Sequence, residues 1–167
     1  MSETFIHLNE THSTNSYLRE LIMREKEQPE GTVVITDYQT AGRGQKGNSW
    51  ESERGKNLTF SILLHPNHIP PGKQFILSQL ISIAIVKVLK EYDRYFSIKW
   101  PNDILFRQKK LCGILAELVK NGTRTMTVIG IGMNVNAAEV SDAWMQRATS
   151  LFIETRAVTD KSEAKRS

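Results

Sequence analysis

One cysteine among 167 residues leaves no partner for an internal disulfide. Cys112 has no histidine near it at ligand spacing, so a cysteine-built zinc site is excluded too. The four histidines are scattered and match no metal motif. Met1 to Leu8 lacks a basic patch followed by an apolar stretch, which leaves no visible secretory signal. No apolar run is long enough to span a bilayer, because the greasiest, Phe75 to Leu89, is interrupted by Ser78, Gln79, Ser82 and Lys87. Dense runs of one charge are also missing. The 22 Lys and Arg against 18 Asp and Glu leave a formal +4, a mild bias that admits an anionic small molecule as readily as a nucleic acid. What is present, 40% hydrophobic residues, suffices for one core and one globular domain. The expectation is a soluble, cytoplasmic chain without a membrane partner.

Apolar periodicity then orders the elements. Thr4 to Leu8 reads as a short strand, and Ser13 as the N-cap of a helix carrying Tyr17, Leu18, Leu21 and Ile22 at helical spacing. After the Pro29-Glu30-Gly31 turn, the β-branched Thr32 to Thr36 reads as a buried strand. Leu58 to Leu64 alternates, with Leu58, Phe60, Ile62 and Leu64 facing a core and Thr59 and Ser61 on the other side. Lys73 to Glu91 is apolar around most of its circumference and reads as a central buried helix. Strands Phe96 to Trp100 and Asp103 to Arg107 follow, the second leading into a turn at Gln108-Lys109. Leu111 to Val119 and Thr123 to Ile131 form a hairpin around Asn121-Gly122, a dipeptide suited to a type I′ turn. The order implies an α+β fold with a mixed, largely antiparallel sheet flanked by helices. Residues 1–153 form the domain, and Glu154 to Ser167 reads as a polar, frayed tail or the stub of a missing domain.

Four segments could carry chemistry. The long loop from Asp37 to Asn57 contains Gln39-Thr40-Ala41-Gly42-Arg43-Gly44-Gln45-Lys46-Gly47. Its glycines let peptide N–H groups approach a ligand and its cations suit anionic oxygens, but it is neither a Walker loop nor a dinucleotide fingerprint. By itself it serves equally as a ligand cradle or a flexible connection. Lys99-Trp100-Pro101-Asn102-Asp103 packs a cation, an amide and a carboxylate around a proline corner, where Asp103 could hold Mg²⁺ or orient a lysine. Alone, it reads first as a capped turn with Trp100 in the core. In Lys109-Lys110-Leu111-Cys112-Gly113-Ile114-Leu115 a basic pair opens a strand that Gly113 interrupts, as happens where a ligand or another backbone comes close. Gly130-Ile131-Gly132-Met133-Asn134-Val135-Asn136 could present amides to a heterocycle or make a turn.

Taken in order and interval, Ser13-Thr14-Asn15 and these four segments resemble the catalytic domain of the biotin-protein ligases, from about His12 to about Leu151. Lys-Trp-Pro-Asn-Asp combined with the upstream Gly-Arg-Gly carries most of the specificity. The resemblance implies the biotin/lipoate-protein ligase catalytic-domain fold, related to class II aminoacyl-tRNA synthetases. It also implies an ATP- and Mg²⁺-dependent ligase that makes biotinyl-5′-AMP and transfers biotin to a lysine of a biotin carboxyl carrier protein. By similarity, Ser13, Thr14, Asn15, Gln39, Gly42, Arg43, Gly44, Gln45, Lys110 and Gly113 would bind biotin. Trp50, Lys99, Asn102 and Asn134 would face the adenylate; Lys110, Arg43 and Asp103 would act in catalysis, with Asp103 holding Mg²⁺. Lys46 would add positive charge. Family members commonly carry arginine where this chain has Gln45, and continue past the equivalent of Ser167 into a small β-barrel. With no room before Ser2 for a helix-turn-helix, DNA binding is not expected; a monomer or a homodimer is. The rival readings are a lipoate- or octanoate-protein ligase, a non-catalytic biotin- or nucleotide-binding module and, more weakly, a basic RNA binder, for which exposed interleaved aromatics are lacking.

Overall fold

Seven strands form one sheet in the order β1-β2-β3-β7-β6-β5-β4, where β1 is Phe5–Leu8, β2 Val33–Thr36, β3 Leu58–Leu64, β4 Phe96–Lys99, β5 Asp103–Phe106, β6 Lys109–Asn121 and β7 Arg124–Met133. β1 and β2 are parallel, joined through helix α1 (Thr14–Arg24), and every other pairing is antiparallel. Helix α2 (Phe75–Leu89) carries the chain from β3 to the far edge, and helix α3 (Leu151–Thr155) follows the sheet. The computed structural model describes residues 4–24, 28–67, 69–70, 72–73, 75–140 and 148–161. Among these, no helix is long and apolar enough to cross a membrane.

The period-two alternation of the strands divides the apolar side chains between two faces. On one, Ile114 of β6 and Ile129, Ile131 and Met133 of β7 pack with Leu77, Val86 and Leu89 of α2, and Leu58, Phe60, Ile62 and Leu64 of β3 close against them. On the other, Leu63, Val119, Met126 and Val128 meet Leu18 and Ile22, one helical turn apart on α1. Each such fully buried Leu or Ile contributes about 1.5–3 kcal/mol. α1 covers one end of its face, leaving the other end for a cavity. Asn121 Nδ2 donates to the Ile22 carbonyl at 2.8 Å, satisfying an orphan acceptor of the last helical turns.

Several sequence expectations are corrected here. α2 is not centrally buried: Leu77, Ser78, Ser82, Val86 and Leu89 face the sheet, while Ile76, Leu80, Ile83 and Val88 are 40–58% exposed. Helical periodicity cannot tell an all-apolar surface helix from a buried one. The second face of β3, on which the sequence sets Thr59 and Ser61, is buried as well. Trp100 lies outside the core, 73% exposed. The β5–β6 turn is Arg107-Gln108, both at positive φ (46° and 76°), rather than Gln108-Lys109. In the β6–β7 hairpin Asn121 pairs with Arg124, so the turn is Gly122-Thr123, with glycine alone at positive φ as a type II′ turn requires. The domain end drawn after Ile153 falls inside α3, which Ser150 caps by accepting the Ile153 N–H at 3.0 Å. Beyond it the backbone is tied down: Asn136 Nδ2 donates to the Thr159 carbonyl and its Oδ1 accepts the Thr159 N–H, both at 2.8 Å. Residues 162–167 of the expected tail lie outside the described residues.

Candidate active site

The pocket floor follows from register. Ser61, Gly130 and Leu115 form one row across β3, β7 and β6, and Thr59, Gly132, Gly113 and Asp103 form the next, continuing onto β5. Glycines recur at i and i+2, so one strand face has no side chains where other groups descend on it. A Cβ on Gly130 would lie 2.3 Å from Asn15 Oδ1, and one on Gly132 2.4 Å from Trp50 Cε2. The start of α1 thus stands on the first row and the Trp50 indole on the second. Between them lies a cavity of about 310 Å³.

Strict alternation would point Lys110 the same way as Cys112, into the α2 core. Instead β5 and β6 slip: Ile104 pairs with Cys112 but Leu105 with Lys110, which makes Leu111 an extra residue. Such a bulge re-aims the side chain that follows it. Leu111 and Cys112 both enter the core, and Lys110 turns to the pocket face, its Nζ 3.1 Å from Asp103 Oδ1 and 5.7 Å from the Trp50 ring centre. Burial pushes the Cys112 thiol from its usual 9.0 up to about 12, an effect that the Lys110 charge opposes and Asp103 reinforces. It remains a protonated, inert core group.

At the opposite end, Gln39 Oε1 accepts the Thr14 N–H at 2.8 Å and lies 3.2 Å from Thr14 Oγ1. This satisfies a helix-start donor and fixes the direction of the Gln39 amide. Ser61 Oγ lies 2.7 Å from Thr14 Oγ1 and 2.6 Å from Asn15 Oδ1, while Asn15 Nδ2 donates to the Leu115 carbonyl at 3.2 Å and Glu117 Oε2 at 2.8 Å. Both ends of the Asn15 amide are therefore engaged by the protein. The glycine-rich loop folds on itself: Arg43 bridges Ser49, Gly44 N–H donates to Asn48 at 2.7 Å and Trp50 N–H to Gly42 at 2.9 Å, and a 3₁₀ turn at Gln45–Gly47 forms the tip. This bonding pattern turns the peptide N–H of Arg43 away from its own ladder.

The cavity brings together Ser13, Thr14, Asn15, Gln39, Arg43, Gly44, Gln45, Trp50, Asn102, Asp103, Lys110 and Gly113, together with Lys46. Gly42, Lys99 and Asn134 do not line it. Gly42 instead gives room to its neighbours, since a Cβ there would fall 2.2 Å from the Trp50 carbonyl and 2.6 Å from Gln39 Nε2. Lys99 is exposed on the edge strand, opposite Asp103. Asn134 is buried, its Oδ1 accepting from Asn57 at 3.1 Å and its Nδ2 donating to the Thr149 carbonyl at 3.1 Å. Asn134→Ala should therefore act on stability: leaving two buried polar groups unpaired costs roughly 1–3 kcal/mol each, read as a lowered urea midpoint. Unchanged stability would contradict that placement. Arg43 also departs from expectation. Its guanidinium lies on Glu117, Nη1 at 3.0 Å and Nη2 at 2.8 Å, so its charge is already paired.

Residue-type reasoning marked the segment holding Gly130 and Gly132 but missed Thr59, Ser61 and Glu117. Strand parity could have found the last, because Gly113, Leu115 and Glu117 share one face. Among the described residues no cluster of three or more His, Cys, Asp or Glu could hold a metal ion. Asp103 is the acidic residue in the lining, and one of its oxygens carries Lys110.

Known proteins resemble the chain over most of its length. Residues 8–134 match the model of the biotin/lipoate A/B protein ligase family. The chain is 42% identical to the bifunctional ligase/repressor BirA of Bacillus subtilis over 127 residues, covering 74% of this chain and 39% of that protein. With BirA of Escherichia coli it shares 37% identity over 133 residues, 78% of this chain and 40% of the other. The chain thus spans less than half the length of these relatives. A solved structure, the biotin protein ligase from Aquifex aeolicus in complex with biotin and ATP, superposes with a TM-score of 0.78 at 34% identity, covering 97% of this chain and 65% of that one. The chain belongs to the biotin/lipoate A/B protein ligase family.

Proposed function

We propose that this pocket joins biotin to ATP, giving biotinyl-5′-AMP and pyrophosphate, and then passes the biotinyl group to a lysine of a biotin carboxyl carrier protein. One observation carries the reading: the Lys110–Asp103 pair and the fixed Thr14–Gln39 amide cluster stand at the two ends of one glycine-floored cavity. A ligand with a polar ring at one end and a carboxylate at the other fits that division. The apolar walls between them, the Trp50 indole over Gly132 and Gly113, suit an aliphatic chain. The Aquifex aeolicus protein, which superposes over 97% of this chain, holds biotin and ATP.

Joining a carboxylate to an α-phosphate brings two anions together, and a fixed cation must offset the charge that builds up. Lys110 Nζ, held by Asp103, supplies one at the carboxylate end, and Lys46 at the loop tip adds a second. The attacking carboxylate oxygen forms a bond to phosphorus while pyrophosphate leaves. In the second half-reaction the acceptor amine displaces AMP at the acyl carbon. Gln39 and Thr14 read the ring: with Gln39 Oε1 turned to Thr14, its Nε2 is left to donate to the ureido oxygen. Ser13 lines the same end. Buried donors left unpaired by a wrong acid give strong discrimination. Asn102 anchors its Nδ2 on the Ile114 carbonyl at 2.8 Å and faces the nucleotide side. Mg²⁺ typically takes one or two carboxylates plus substrate phosphates, and the second Asp103 oxygen fits that role; bound there, the ion would neutralise phosphate charge. A need for ATP supports the reading of a cytoplasmic protein.

Chromatography of a quenched mixture of protein, biotin and ATP should reveal biotinyl-5′-AMP with Mg²⁺ present and little after chelation. Equal yield in chelator would remove the ion from the account, and no adenylate under either condition would remove the reaction.

A further inference from the structure

Glu117 ties together three elements that the fold brings to one spot. It stands on β6, two positions beyond Leu115 on the pocket face, with a side chain only 18% exposed. Its two oxygens take the Arg43 guanidinium at 3.0 and 2.8 Å, and Oε2 also accepts from Asn15 Nδ2 at 2.8 Å. Arg19 of α1 approaches Oε1 at 3.5 Å. A two-pronged guanidinium–carboxylate pair fixes direction as well as distance. The loop is otherwise held at its beginning, where Thr40 and Ala41 N–H groups donate to the Thr11 and His12 carbonyls at 2.9 Å, and at its end by Trp50 on Gly132. Between those points, among the described residues, the Arg43–Glu117 pair is the salt bridge that fastens the loop to the sheet.

We propose that Glu117 is a positioning residue, which docks the glycine-rich loop through Arg43 and thereby aims the peptide N–H of Arg43 at the acid substrate. The proposal rests on the biotin-activating reading of the pocket. Because Glu117 also holds Asn15, it fixes the loop and the ring-reading helix start relative to each other. Charge neutralisation at phosphate then falls to Lys110 and Lys46. Loss of Glu117 therefore acts on capture of the acid more than on the chemical step.

The test uses Glu117→Gln, Arg43→Gln and the double variant in the full chain, with biotin-dependent ATP–pyrophosphate exchange and trypsin cleavage after Lys46 as readouts. For Glu117→Gln, KM for biotin should rise about tenfold, with kcat within about threefold of the parent, as suits a partly exposed charged pair. The double variant should be no worse than Arg43→Gln, since both changes remove one interaction. Without ligand, cleavage after Lys46 should be about tenfold faster in each single variant, reflecting a freed loop. Additive losses in the double variant, a fall confined to kcat, or unchanged cleavage in Glu117→Gln would overturn the proposal. Should Glu117→Gln not fold, Arg43→Gln breaks the same pair from the loop side, and unchanged cleavage there is equally decisive. A parent protein without biotin-dependent exchange would defeat the biotin reading, whereas the cleavage rates would still judge the tie.

Discussion

Lys110→Ala is expected to cut biotin-dependent ATP–pyrophosphate exchange by a factor on the order of 10²–10³ while the protein stays folded. The size follows from where the charge sits. The bulge at Leu111 brings Nζ onto the pocket face, Asp103 holds it at 3.1 Å, and the Trp50 ring flanks it at 5.7 Å. A cation fixed before the reaction needs no reorganisation when negative charge builds on the transferring oxygens, and that advantage is lost entirely on truncation. The effect on folding is small by comparison, because the lysine is 26% exposed on its side chain and such pairs contribute about 0–1 kcal/mol once solvent screening is counted. Circular dichroism and a urea melt of the variant should resemble those of the parent. Exchange at the parental rate would remove Lys110 from its assigned role.

Gly130→Ala is expected to damage both stability and acid binding, by a single added methyl group. That Cβ would lie 2.3 Å from Asn15 Oδ1 and 2.9 Å from Asn15 Cγ. Asn15 has little freedom to retreat, because its amide is held by Ser61, the Leu115 carbonyl and Glu117. Either β7 shifts, which disturbs its ladders with β3 and β6, or the helix start lifts and takes Thr14 with it. Overpacking of this kind costs about 1–3 kcal/mol, and a lifted Thr14 loses its fixed relation to Gln39. Urea denaturation should show the first effect. Calorimetry should show biotin affinity weakened by at least about tenfold, the equivalent of 1.4 kcal/mol. A variant with parental stability and affinity would mean that the glycine floor is not as crowded as described.

The sequence made the alternating strands legible because each buries a regular set of side chains, and β3 runs over the residues that its alternation marks, Leu58 to Leu64. It made the site's main parts legible as well, since Gly-Arg-Gly, Lys-Trp-Pro-Asn-Asp and the strand opened by Lys109-Lys110 all contribute to one cavity. What it concealed depends on register. The Leu111 bulge inverts the facing of Lys110, and no local pattern of residue types announces it. The solvent-side apolar residues of α2 look the same in sequence as buried ones. Asn134 and Asn102 are both asparagines beside a strand, yet the first is consumed in a buried lock between Asn57 and Thr149 while the second borders the pocket. Only the three-dimensional partners separate them. Glu117 was hidden for a related reason: its three partners Asn15, Arg19 and Arg43 lie 74 to 102 residues away in the chain.

The central claim is that the cavity activates biotin with ATP. ATP–pyrophosphate exchange measured on this chain with biotin, with lipoate and with no added acid tests it most directly. Exchange should require biotin and should not be supported by lipoate. Exchange driven by lipoate in preference to biotin would contradict it, as would calorimetric biotin binding with no exchange at all.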